Sequence, residues 1–82
     1  MRIEIGGFDA LIVDPPRAGL DPRMARKMQD RGPDLVFYVS CSPPSLTRDL
    51  AVLSSYRVVL LRGYDFCPHT PHIEALAVLE RR

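Results

Sequence analysis

Apolar and polar positions along this chain fall into short blocks punctuated by proline and glycine. Residues 8–13 (Phe-Asp-Ala-Leu-Ile-Val) are a near-continuous apolar run that stops at Asp14-Pro15-Pro16, which predicts a strand buried on both faces. Residues 35–39 (Leu-Val-Phe-Tyr-Val), bounded by Gly32-Pro33-Asp34 and by Pro43-Pro44, predict a second buried strand. Between them, Asp21 reads as an N-cap and Pro22 as a first-turn proline for a short helix over 23–30, ended by Arg31-Gly32-Pro33. A strand, a helix and a strand in that order predict a right-handed βαβ unit with parallel strands.

The second half continues the pattern. Ser42 reads as an N-cap and Pro43 as the first residue of a helix in which Leu46, Leu50 and Leu53 form one apolar stripe and Ser54-Ser55 ends the element. Residues 56–61 (Tyr-Arg-Val-Val-Leu-Leu) predict a third strand. Residues 73–79 (Ile-Glu-Ala-Leu-Ala-Val-Leu) predict a fourth strand rather than a helix, because the following Glu80-Arg81-Arg82 offers no capping glycine or asparagine. The segment 62–72 between them is too long for a tight hairpin, and loops of that length in small domains tend to be functional. No strand is expected before Gly6-Gly7. The fold class is therefore α/β, with about four strands and two helices in a single domain spanning residues 1–82.

Composition adds limits. Hydrophobic residues at 46% and charged residues at 26% are those of a soluble globular domain. No apolar run approaches membrane-spanning length, and Met1 to Gly7 do not resemble a signal peptide, so a cytoplasmic protein is expected. A net charge of +1 gives no general nucleic-acid footprint, and any attraction to RNA must be local or supplied by further segments. Two cysteines without a secretory context read as free thiols.

Candidate chemistry centres on Val39-Ser40-Cys41-Ser42-Pro43-Pro44, where a strand runs into a cysteine and then a helix N-terminus. Carboxyl ends of strands are where open α/β sheets place ligands, and helix N-termini favour a thiolate nucleophile. The plain alternative is a small buried thiol. Asp14 sits at the carboxyl end of the neighbouring predicted strand and is held by the two prolines after it, so it either faces one pocket with Cys41 or simply forms a turn. Arg48 and Asp49 read as a solvated helix face, with anchoring of the preceding loop as the alternative. Cys41, Cys67, His69 and His72 are all zinc-capable, although their spacing fits no standard finger.

Three groups of residues together carry a resemblance. Asp14-Pro15-Pro16-Arg17 with Gly19-Leu20, then Ser40-Cys41-Ser42-Pro43 with Leu46 and Arg48-Asp49-Leu50, then Pro68-His69-Thr70-Pro71-His72-Ile73-Glu74 resemble successive signatures of the RNA 5-methyluridine methyltransferases. These enzymes use S-adenosyl-L-methionine to methylate uracil C5 in tRNA or rRNA. The resemblance covers nearly all of this chain but only the C-terminal part of such an enzyme's catalytic domain. It implies that Cys41 adds to uracil C6, that Glu74 removes the C5 proton, that Asp14 lies where cofactor and base meet, and that Arg17, His69 and His72 position the substrate. Ser42 stands where the family more often has asparagine, and Cys67 where an aromatic is usual.

The resemblance also implies a partial Rossmann-like sheet in strand order 1-2-4-3 with the last pair antiparallel. The glycine-rich turn and acidic residue that hold the cofactor in such folds have no counterpart in this chain, so the isolated chain is not expected to bind S-adenosyl-L-methionine and is expected to be inactive without a partner. The outer edge of residues 10–13 would be left unpaired, which predicts a homodimer or a partner chain there. A noncatalytic remnant or interaction domain of the same fold, and a small zinc-binding module, are the alternative functions.

Overall fold

The computed structural model describes residues 2–64 and 74–82. Its elements are β1 (Arg2–Ile5), β2 (Phe8–Val13), α1 (Pro22–Arg31), β3 (Leu35–Ser40), α2 (Pro43–Val52), β4 (Tyr56–Tyr64) and β5 (Glu74–Arg81). They build one sheet in the order β1-β2-β3-β5-β4. β2 and β3 are parallel, and the β3–β5 and β4–β5 pairs are antiparallel. The four expected strands thus take the expected order, with the last pair antiparallel.

A fifth strand lies outside them. β1 pairs antiparallel with β2 from Arg2↔Leu11 to Ile5↔Phe8, and Gly6 and Gly7 make the two-residue turn with φ of 56° and 85°. Positive φ at both turn residues suits the twist of a tight hairpin. This corrects two expectations: a strand does precede Gly6-Gly7, and the edge at residues 10–13 is already paired. The expected docking of a second copy or a partner chain at that edge therefore loses its basis.

Both helices cover one face of the sheet. Their Ala25, Met28 and Leu46, with Leu53 at the C-cap of α2, join Val13, Val36, Tyr38, Ala77 and Leu79 in a single core. Each helix starts as its residues dictate. Asp21 accepts a 2.8 Å hydrogen bond from the Arg23 backbone N–H, with Pro22 in the first turn, and Ser42 stands at the N-cap before Pro43. On the face without helices Ala10 is buried, but Ile12, Phe37, Val39, Leu76 and Val78 are half-buried. The expected burial of the first strand on both faces is therefore only partial, because this chain places helices on one face alone.

Strand β4 runs three residues beyond its expected end and carries a bulge between Val58 and Leu60. β5 runs on through Glu80 to Arg81. Charge does not stop it, because the Arg81 guanidinium donates to the Met28 and Gln29 carbonyls at the end of α1, at 3.1 and 2.9 Å, where a cation complements the helix dipole. Among the described residues no helix is long and apolar enough to cross a membrane.

Candidate active site

Strand direction brings the candidate residues to one end of the sheet. β2 and β3 both end there at their carboxyl termini, which places Asp14 one residue past β2 and Cys41 one residue past β3. β5 runs the other way and begins there with Glu74. The β3–β5 ladder closes with Ser40↔Ala75, so Cys41 follows and Glu74 precedes its last pair at the same end of the sheet. Asp14 and Arg17 are exposed, while Cys41 and Glu74 are half-buried. His69, His72 and Cys67 lie outside the described residues.

The turn that presents Cys41 is tied on both sides. Ser40 is buried, and its hydroxyl accepts from the Ser42 backbone N–H at 3.0 Å and donates to the Ser42 carbonyl at 2.9 Å. Cys41 is the residue enclosed by that strap, and its thiol is free. Ser42 keeps its N-cap position but makes no side-chain cap. Its hydroxyl instead donates to Ser45 Oγ at 3.2 Å, and Ser45 Oγ donates to the Arg17 carbonyl at 2.5 Å. A two-step relay thereby joins the cysteine turn to the Asp14-Pro15-Pro16-Arg17 loop. Period-two alternation along β3, with Val36 and Tyr38 inward, was the signal that Ser40 also faces in.

Asp49 corrects the solvated-face reading. It is 3% exposed, and its Oδ2 accepts from the Leu20 backbone N–H at 2.8 Å and from the Tyr38 hydroxyl at 2.5 Å. Arg48 lies 3.5 Å from Asp49 Oδ1 and donates to the Ala18 carbonyl. The sequence held a signal for this burial: position 49 falls inside the 46/50/53 stripe, three residues after Leu46.

Burial, reinforced by the hydrogen bond to Asp49 and by its negative charge, raises the Tyr38 hydroxyl far above the ordinary tyrosine range. The unfolded chain's tyrosine ionises near pH 10, whereas the folded one keeps its proton. The contribution to stability is therefore complete below about pH 10 and declines above it, by up to about 1.4 kcal/mol per pH unit, until the folded hydroxyl also ionises. Urea midpoints measured from pH 8 to 11.5 are expected to fall more gently above pH 10 in Tyr38→Phe than in the wild type; parallel profiles would contradict this.

Among the described residues no group of three or more His, Cys, Asp or Glu is placed to hold a metal, and three of the four zinc candidates lie outside those residues. The described residues also do not fit a nucleoside-sulfonium cofactor as a whole. Gly6-Gly7 joins two antiparallel strands, not a strand to a helix, so no helix N-terminus backs it. An open groove between the 14–22 loop, α1 and α2 is lined by Asp14, Leu20, Met24, Arg48 and Val52, among others, but not by Cys41 or Glu74.

A family model described as tRNA (Uracil-5-)-methyltransferase matches residues 2–82. The chain is 44% identical over 80 residues to the tRNA (uracil(54)-C(5))-methyltransferase of Pyrococcus furiosus, covering 98% of this chain and 20% of that protein. It is 37% identical over 71 residues to the 23S rRNA (uracil(747)-C(5))-methyltransferase RlmC of Shewanella amazonensis, covering 87% of this chain and 18% of that protein. The crystal structure of the Pyrococcus abyssi tRNA (uracil-54, C5)-methyltransferase in complex with S-adenosyl-L-homocysteine matches with a TM-score of 0.81 at 44% identity, over 94% of this chain and 19% of that one. This chain thus spans about a fifth of the length of these relatives.

Proposed function

The chain belongs to the tRNA (uracil-5-)-methyltransferase family, and on that premise we propose that it carries the base-activating residues of a uracil-C5 RNA methyltransferase. It is the C-terminal part of the catalytic domain in this reading. The substrate is a uridine of tRNA or rRNA drawn out of its stack or loop, and S-adenosyl-L-methionine is the methyl donor. The described residues lack the turn that would hold that donor, so methyl transfer belongs to a site completed by polypeptide outside this chain.

The observation that carries the reading is the Ser40↔Ala75 closure of the β3–β5 ladder, which supports it because Cys41 and Glu74 are the residues that flank that last pair. Sulfur of the Cys41 thiolate bonds to uracil C6. The electron pair of the C5=C6 double bond moves onto C5 and the C4 carbonyl, which makes C5 nucleophilic. When C5 has taken up an electrophile, Glu74 removes the remaining C5 proton, the double bond re-forms, and the thiolate leaves. Asp14 is proposed at the meeting point of cofactor and base, with Arg17, His69 and His72 positioning the substrate.

This chain's share of the reaction can be read without the methyl donor. With water as the proton source, addition, C5 protonation, removal of the original C5 hydrogen and elimination amount to exchange of the C5 hydrogen. Single-stranded RNA carrying tritium at uridine C5 is expected to release label to water when incubated with the chain, and Glu74→Gln is expected to slow release by about 10²–10⁴-fold. A wild-type chain that releases no label would overturn the catalytic reading in favour of a noncatalytic domain, the reading that the missing cofactor turn favours.

A further inference from the structure

Three consecutive contacts from α2 hold backbone atoms of the loop that follows Asp14. Ser45 grips the Arg17 carbonyl, Arg48 the Ala18 carbonyl, and Asp49 the Leu20 N–H. The same Asp49 oxygen accepts from Tyr38, three residues before Cys41 on β3. We infer that Asp49 is a positioning residue that fixes the Asp14–Arg17 loop in register with the Cys41 turn. The inference rests on the catalytic reading of Cys41 given above.

The physical case is one of connectivity. Asp14, Arg17 and Cys41 stand on segments separated by α1, and a loop with two prolines and a glycine has no ladder of its own to set its height above the sheet. Asp49 supplies that setting from inside the core. A buried carboxylate needs its partners to stay put, because a lost donor leaves an under-solvated charge. The 2.5 Å bond to Tyr38 and the 2.8 Å bond to Leu20 therefore act as one unit, with Ser45 and Arg48 as outer grips. The relay from Ser42 through Ser45 to the Arg17 carbonyl carries the same registration to the residue beside Cys41.

The test uses the whole chain with two readouts. Trypsin cleavage after Arg17 reports release of the loop, with cleavage after Arg57, which is paired with Glu80 near the start of β4, as the control for global unfolding. Tritium release from C5-labelled RNA reports the site. Asp49→Ala is expected to quicken cleavage at Arg17 relative to Arg57 and to lower kcat for exchange by about tenfold or more with little change in KM. The double variant Ser45→Ala/Arg48→Ala, at positions outside the core cluster, is expected to do the same to a smaller degree with an unchanged melting temperature. Restoring the acceptor alone, with Asp49→Asn, should recover part of both effects.

Unchanged Arg17 cleavage in the folded variants would overturn the tether. Exchange in the wild type that survives undiminished in the variants would overturn the positioning role while leaving the catalytic reading intact. No exchange in the wild type would remove the catalytic reading and with it the catalytic purpose of Asp49, and the trypsin ratio would still decide the tether on its own.

Discussion

Cys41→Ala is expected to abolish C5-hydrogen exchange, by more than about 10⁴-fold, since among the described residues no other thiol can take over the bond to uracil C6. Its effect on stability is expected to stay within about 1 kcal/mol. The two effects separate because the thiol is half-buried at the end of β3 and is not among the core residues, while the turn around it is held by Ser40. Cys41→Ser should be equally silent: a hydroxyl at that position is a far weaker nucleophile than a thiolate. Glu74→Gln removes a proton acceptor, and water can partly replace it, so its loss should be smaller than that of Cys41→Ala. The ranking therefore separates nucleophile from base. Exchange in Cys41→Ala within about tenfold of wild type would end the nucleophile assignment.

The parts of this fold that were legible in the sequence are those written in local chemistry. Asp21-Pro22 and Ser42-Pro43 mark helix starts wherever they occur, and the apolar runs at 8–13 and 35–39 announce strands that need cover. The position of Cys41 just past a strand followed from these signals alone. β1 was not legible in the same way. Arg2–Ile5 alternates polar and apolar over only four residues, a signal too short to stand without the edge of β2 that it pairs with. Gly6-Gly7 as a two-residue hairpin turn was the other local sign.

Asp49 was misread for a related reason. Charge usually marks the wet face of a helix, and only the pairing with Leu20 and Tyr38, from segments 29 and 11 residues away, makes its burial tolerable. Ser40 shares this history: alternation turned it inward, but its partner is Ser42 across the turn. The strand-end positions of Cys41 and Glu74 were thus readable, and anchoring by Arg48 and Asp49 was open as an alternative, whereas the partners that make those contacts were not. Their roles arise from contacts between segments.

Gly19→Ala is expected to be strongly destabilising, costing about 2–4 kcal/mol, which in a domain of this size lowers the melting temperature by roughly 10–20 °C. Two costs combine at this buried position. Its φ of +89° lies where side chains are rarely tolerated, within a turn closed by a 2.8 Å bond from its N–H to the Pro16 carbonyl. A Cβ there would also stand 2.8 Å from Asp49 Oδ2 and against the Arg48 guanidinium. Neither group can withdraw freely, since both are engaged with the 18–20 loop. Gly7 separates the two costs, because its φ of +85° is about as unfavourable for a side chain but nothing lies within 4 Å of the Cβ position. Gly7→Ala should therefore cost only about 1 kcal/mol, the conformational part alone. Thermal melts of the two variants decide the matter: a clearly larger loss at Gly19 reports crowding against the Asp49 and Arg48 contacts, and equal losses would mean that the loop gives way and that this region is less firmly held than its hydrogen bonds indicate.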